Sequence, residues 1–274
     1  MGEEWIQRQH LDLEGTYNIR DLGGYSTCDG GTIRWNMFLR ADGLEKLTPE
    51  SQAVLVDYGV RTVIDLRNTS EIEQYPDVFE KSSVVTYFHQ NTTGDDPLPI
   101  HETLEKVNSK ERVDQASLHE PSKHFSESYK AILDHRSAQV IKTLDTIASS
   151  EMLPALVHCA AGKDRTGIIT ALVLGLVGVP EETIVKDYAL TAFYLLRRDL
   201  EEHDTHATLE KPSFPYTIEE YQRQHCPPET MIETLQHLKV HYGGIEGYVL
   251  RAGFTRQQIN ILRTSLAVSY THLT

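Results

Sequence analysis

The chain has 274 residues, 39% hydrophobic and 24% charged, proportions of a soluble globular protein built as one large domain or one domain with an elaboration. Its formal net charge of −14 argues against nonspecific binding to nucleic acid or to an anionic membrane surface. The longest apolar run, 168–179, is shorter than the about 20 residues a membrane-crossing helix needs, so no transmembrane segment is expected.

Residues 11–41 read as a β-rich opening, with Asp29-Gly30-Gly31 as a turn between Tyr25 and Ile33. Thr48-Pro49-Glu50 starts a helix that runs to Asp57 and stops near Gly59. Strands follow at 61–66 and 84–88, and the polar stretch Gln90 to Pro121 reads as a surface loop. Tyr129, Ile132, Leu133, Val140, Leu144 and Ile147 fall at helical spacing and predict one long amphipathic helix. A buried strand at 153–158 comes next, then an apolar central helix, then a helix from Pro180 to about Leu190. Residues 193–228 alternate apolar, charged and Pro-rich stretches. Met231, Leu235, Leu238 and Tyr242 mark a helix ended by Gly243-Gly244, and Ile259, Leu262 and Leu266 mark the last. The tail is 267–274, and its residues 269–274 carry no fold signal. Alternating helices and strands argue an α/β fold with a central, mostly parallel sheet flanked by helices.

The three cysteines, Cys28, Cys159 and Cys226, form neither a paired framework nor a metal-ligand spacing, which suits a reducing compartment. His203 and His206 sit in a polar stretch and read as solvated residues. No metal and no cofactor is expected. The acidic start, Met1 to Ile6, has no signal-peptide core, and Ile6 breaks a myristoylation pattern begun by Gly2. A cytoplasmic location is expected, export without a signal peptide being the alternative.

One segment carries chemistry: His158-Cys159-Ala160-Ala161-Gly162-Lys163-Asp164-Arg165-Thr166-Gly167. It joins the apolar strand 153–157 to the central helix, so loop amides and a helix N-terminus converge on one spot, a socket for phosphate. A helix N-terminus and neighbouring cations lower a thiol's pKa from about 8.5 to roughly 3.5–7.5, so Cys159 would be a thiolate nucleophile. Arg165 offers a planar guanidinium that holds two phosphate oxygens at once. Ala160, Ala161 and Gly162 allow close approach of backbone amides, Gly162 through a positive φ. Thr166 is placed to assist the sulfur as it leaves. A buried inert cysteine would not explain Lys163, Asp164 and Arg165 beside it. A Walker-type nucleotide loop also fails, because Val157 stands where its first glycine belongs and Asp164 follows Lys163.

This loop resembles the signature of the cysteine-dependent protein tyrosine phosphatase superfamily, His-Cys-x5-Arg followed by Ser or Thr. Its Lys-Asp pair, with Asn18-Ile19-Arg20-Asp21-Leu22-Gly23-Gly24-Tyr25, Thr62-Val63-Ile64-Asp65-Leu66-Arg67 and Tyr242 to Tyr248, resembles the mycobacterial protein tyrosine phosphatase B and Listeria lipid phosphatase group. The match covers most of residues 11–265. It implies a tyrosine-phosphatase-like fold in a single domain, 11–266, with 193–228 as a helical lid-like insertion. It implies phosphomonoester hydrolysis through a phosphocysteine, on phosphotyrosine and in some members phosphoserine, phosphothreonine or phosphoinositides. Phosphorylated protein or phosphoinositide is then the partner.

Carried over, Cys159 is the nucleophile, Arg165 the phosphate clamp, and Lys163 a further cation facing phosphate or an inositol ring. His158 belongs to the signature, and Arg20 and Arg67 join Lys163 and Arg165 in an expected local positive well. The Trp-Pro-Asp acid loop of well-studied relatives is absent, since Trp5 precedes Ile6 and Trp35 precedes Asn36. Two proton donors stay open: Asp164 first, Asp65 second, the latter equally placed for a salt bridge to Arg67 or Arg20. Rival functions are a phospho-ligand-binding scaffold and a sulfur-transfer or arsenate-reducing enzyme, the last disfavoured by the Lys-Asp pair. A disulfide from Cys159 to Cys28 or Cys226 would shield the nucleophile.

Overall fold

A computed structural model describes residues 9–96, 98, 121–205 and 217–268. Its main sheet has the order β1 (Arg20–Asp21), β3 (Phe38–Ala41), β6 (Ala155–His158), β4 (Thr62–Asp65) and β5 (Thr86–His89). The β1–β3 pair is antiparallel; β3–β6, β6–β4 and β4–β5 are parallel. A second, two-stranded antiparallel sheet pairs β2 (Thr32–Ile33) with β7 (Ala267–Val268). The expected tail, 267–274, begins as a strand, with Val268 paired to Thr32 and Ala267 to Ile33. The rest of that tail lies outside the described residues.

Strands β3, β4 and β6 are buried on both faces, and β4 and β6 read as apolar runs for that reason. Alternate residues divide between two cores. Leu39, Ala41, Val63 and Leu156 face α1 (Pro49–Tyr58), whose Leu55 joins them. Phe38, Ile64, Ala155 and Val157 face the larger core, built on α4 (Ser137–Ile147) and α5 (Asp164–Leu176). Thr48 caps α1 through the Ser51 amide, and Gly59, at φ 111°, ends it as expected.

Three expectations need correction. The single helix expected across Tyr129 to Ile147 is two, α3 (Pro121–His135) and α4, broken at Arg136. One apolar stripe serves both because they pack on the same core. The helix expected to end near Leu190 is α6 (Glu181–Thr205), which continues through the charged stretch. A six-residue helix, α2 (Thr69–Gln74), was not foreseen; it buries no residue and is held by an Asn68–Glu71 capping box. Beyond the undescribed 206–216 come α7 (Ile218–His225), α8 (Pro228–Tyr242), α9 (Ile245–Arg251) and α10 (Arg256–Leu266). Most of the loop expected at 90–121 lies outside the described residues.

The carboxyl ends of β3, β6 and β4 lie side by side, at Ala41, His158 and Asp65. Ligands of open α/β sheets bind outside the carboxyl ends of strands. Here the Cys159–Lys163 loop leaves β6 and enters α5.

Leu156 lies on the central strand with no solvent exposure. Leu156→Ala should destabilise the protein by about 2–5 kcal/mol. Urea titration should show a lower midpoint with an unchanged slope.

Candidate active site

The loop is shaped by where its carbonyls go. The Gly43 amide donates to Ala160 O at 2.9 Å, and Asn18 Nδ2 donates to Ala161 O at 3.0 Å and Gly162 O at 3.2 Å. A guanidinium N–H of Arg40 also donates to Gly162 O, at 2.6 Å. In a trans peptide, C=O and the following N–H point in opposite directions. With three carbonyls drawn outward, the amides of Ala161, Gly162 and Lys163 turn to the inner side of the loop. Gly162 has φ 64°, and a Cβ there would lie 2.5 Å from Ala41 O, so glycine is required on both counts.

The groups that hold those carbonyls are held in turn. Asp42 accepts the Thr16 hydroxyl and the Tyr17 and Asn18 amides, which fixes Asn18 beside the loop. Arg20 donates to Asn18 Oδ1 and pairs with Asp187 on α6 at 3.1 Å. Arg40 pairs with the other oxygen of Asp187 at 2.5 Å, and Tyr25 donates to that carboxylate as well. Arg20, Arg40 and Asp187 are fully buried. Two guanidiniums therefore share one carboxylate beneath the loop, leaving one positive charge in excess. Arg20 does belong to the local positive field, but it supports the loop from behind and has no face toward substrate.

Cys159 sits at the mouth of this cradle, 2% exposed. Burial pushes its thiol up, but the Arg165 charge, the Thr166 hydroxyl and the Thr166 amide outweigh burial and bring it below its usual value. Thr166 Oγ1 is buried without a hydrogen-bond partner, and its hydroxyl is one of the groups that favour the ionised sulfur. The Arg165 guanidinium is clamped by both oxygens of Glu71, at 2.5 and 2.8 Å. Glu71 comes from α2, the short helix that sequence periodicity missed. Its only sequence signal was the capping box with Asn68, which says nothing of Arg165.

Behind β6 lies a second buried cluster. His158 Nε2 stands 3.2 Å from Asp77 and 3.7 Å from Asp65, all without solvent exposure. Asp65 also takes Arg67 Nη2 at 2.7 Å and the Tyr87 hydroxyl at 2.9 Å. Burial alone would lower His158, but Asp65 and Asp77 raise it to about 9. Burial alone would raise Asp65, but His158 and Arg67 lower it to about 2. Two carboxylates thus face one guanidinium and one imidazolium. Among the described residues only Asp65, Asp77 and His158 bring three ligand-type atoms within 4.8 Å of one another.

Three sequence expectations are corrected by this cluster. Asp65 is an ionised, buried anchor, the opposite of what a proton donor needs. Arg67 is neutralised by Asp65 and Glu45 and adds nothing to the positive well. His158 has no solvent exposure and faces Asp65 and Asp77.

Asp164 opens α5 and keeps 39% of its side chain exposed. Its Oδ1 accepts the Tyr129 hydroxyl at 2.7 Å and lies 3.6 Å from Lys163 Nζ. Lys163 itself donates to His225 O, the last residue of α7, at 3.0 Å and stacks over Phe125 at 4.1 Å. Ala160 is exposed, and beside it a cavity of about 120 Å³ is lined by Tyr17, Glu45, Lys46 and Arg198 among others. A larger cavity, about 570 Å³, includes Cys28 and lies at the other end of α5. Cys28 is therefore too far to pair with Cys159. Cys226 is buried in the cluster that packs on Ala161, and burial raises its thiol to about 12.

The fold and this loop together define an α/β protein with a cysteine at the junction of its central strand and central helix. The tyrosine phosphatase family profile matches residues 11–268, and the chain belongs to that family. A tyrosine-protein phosphatase of Nostoc commune is 29% identical over 87% of this chain and 77% of its own length. The triple specificity protein phosphatase PtpB of Mycobacterium tuberculosis is 26% identical over 92% of this chain and 97% of its own.

The rear clusters generate two predictions. Asp187→Asn leaves two buried guanidiniums short of a carboxylate and should cost about 3–5 kcal/mol in chemical denaturation. His158 is raised to about 9 in the fold against 6.5 in an unfolded chain, so its stabilisation is full below pH 6.5 and disappears as pH rises through 9. Asp65, at about 2 against 3.8, stabilises above pH 3.8 and loses this as pH falls through 2. The thermal midpoint should therefore fall on the alkaline side, and His158→Gln should remove most of that slope.

Proposed function

We propose that this chain hydrolyses phosphomonoesters through a phosphocysteine on Cys159, with phosphotyrosine as principal substrate. The observation that carries the reading is the loop whose carbonyls are all drawn outward around a thiol brought below its usual value. Cys159 attacks phosphorus in line with the ester oxygen. Its S–P bond forms as the P–O bond breaks, and the electron pair stays on the departing oxygen. Arg165, with Glu71 holding its plane, spans two equatorial oxygens, and the amides of Ala161, Gly162 and Lys163 receive the rest of the charge. Thr166 stabilises the sulfur when water displaces it in the second step. Asp164 is the proton donor to the departing oxygen, because Asp65 is locked as a carboxylate. No step in this scheme calls for a metal.

Phosphoserine, phosphothreonine and phosphoinositides are proposed as further substrates. The name of the mycobacterial relative, a triple specificity phosphatase, supports breadth, as does Lys163 at the end of the loop. Residues 193–228 are proposed as a cover over the site, supported by the Lys163 bond to the end of α7. We propose the span 11–266 as one phosphatase domain working in the cytoplasm.

Release of p-nitrophenol from its phosphate, with a chelator present, should be lost in Cys159→Ser while phosphate-ester binding persists. A wild-type protein that binds but does not turn over would sink the reading in favour of a scaffold. Phosphotyrosine peptide and soluble phosphoinositides should both be cleaved, and a negligible lipid rate would remove the broad specificity. Replacing 197–224 by a short linker should raise activity on bulky esters; unchanged kinetics would remove the cover.

A further inference from the structure

We infer that Tyr129, backed by Tyr188, positions the Asp164 carboxyl for proton transfer to the departing oxygen. This inference rests on the reading of Asp164 as proton donor.

Three helices meet at this carboxyl. Asp164 opens α5, Tyr129 comes from α3, and Tyr188 comes from α6. The two tyrosines are each 1% exposed and meet edge to face, ring centroids 6.0 Å apart. Their hydroxyls lie 3.0 Å apart, and Tyr129 donates to Asp164 Oδ1 at 2.7 Å. A tyrosine has one proton to give. With that proton directed to Asp164, the Tyr129 oxygen is left to accept from Tyr188. Burial raises Tyr129 far above its usual value, so it remains a donor throughout the working pH range.

The consequence is a division of labour between the two carboxyl oxygens. Oδ1 is occupied by Tyr129, with Lys163 Nζ on the same side at 3.6 Å. The transferable proton is left to Oδ2. During transfer the Oδ2–H bond breaks, a new O–H bond forms on the ester oxygen, and negative charge builds on the carboxylate. A hydrogen bond to an ionised carboxylate is roughly twice as strong as one to a neutral acid. The Tyr129 bond therefore tightens as the proton leaves, and stabilises the transition state more than the ground state. It also fixes one rotamer of a side chain that is otherwise partly solvent-exposed at a helix end.

The test is the leaving-group dependence of kcat/KM over aryl phosphates from p-nitrophenyl to phenyl, since proton donation matters most for the poorer leaving group. For Tyr129→Phe, the phenyl to p-nitrophenyl ratio of kcat/KM should fall about ten-fold, the worth of one charge-assisted hydrogen bond. Asp164→Asn should lower the ratio further. In the Asp164→Asn background, Tyr129→Phe should change it no more. An unchanged ratio in Tyr129→Phe, or an equal fall with and without the Asp164 carboxyl, overturns the inference while leaving Asp164 as donor. An unchanged ratio in Asp164→Asn overturns the donor reading and this inference with it. Should Tyr129→Phe fail to fold, Tyr188→Phe carries the same measurement. A lower ratio there supports the inference, and an unchanged one overturns it.

Discussion

The outward pull on three consecutive carbonyls is the constraint on which the site depends. A five-residue loop between a strand and a helix has no regular hydrogen-bond ladder of its own, so its peptide planes take the direction their partners impose. Here Gly43, Asn18 and Arg40 impose it from one side. The inner amides are then aimed before any anion arrives, and no reorganisation is needed at the moment of reaction. Gly162 can sit against Ala41 O only because it lacks a Cβ.

That restraint explains a buried charge cluster that would otherwise be unfavourable. Burying a guanidinium is tolerable only with a partner. Asp187 partners two, so the cluster beneath the loop keeps one net positive charge. In the proposed mechanism, the sulfur of Cys159 and the phosphate of a substrate are the anions that balance it. A chain with a formal net charge of −14 thus presents a positive site without a basic surface. The second cluster sets Asp65 and Asp77 against Arg67 and His158 and braces the strand from which the loop springs.

The family pattern and the geometry part at the proton donor. With no Trp-Pro-Asp segment, the proposed acid is a residue of a fixed element, and of the two candidates Asp164 is the one without a buried cationic partner. Asp65 is committed to Arg67 and His158. Asp164 has one oxygen tied to Tyr129 and the remainder of its side chain toward solvent. A donor at the first turn of the same helix that orients the thiolate needs no mobile loop to deliver it.

What the sequence determined by itself was whatever lies close along the chain. Cys159, Gly162, Arg165 and Thr166 are neighbours, so their convergence follows from a strand–loop–helix junction alone. The sheet, the α1 caps and the central helix followed from periodicity and turn residues in the same way. Asn18, Arg20 and Arg67 were singled out as motif residues, but two were assigned to the substrate side. Arg40 within an apolar strand and Asp187 within an apolar helix were signals of a buried ion pair that carried no address. The tertiary structure decided the partners: Glu71 with Arg165, Asn18 with Ala161, Tyr129 with Asp164, Asp77 with His158. Hydrophobic periodicity reports which face of an element is buried, and it is silent about which distant side chain meets a charge there. That pairing is set by the crossing of elements separated by scores of residues, so only the folded chain could place a cation in front of the thiolate or behind the loop.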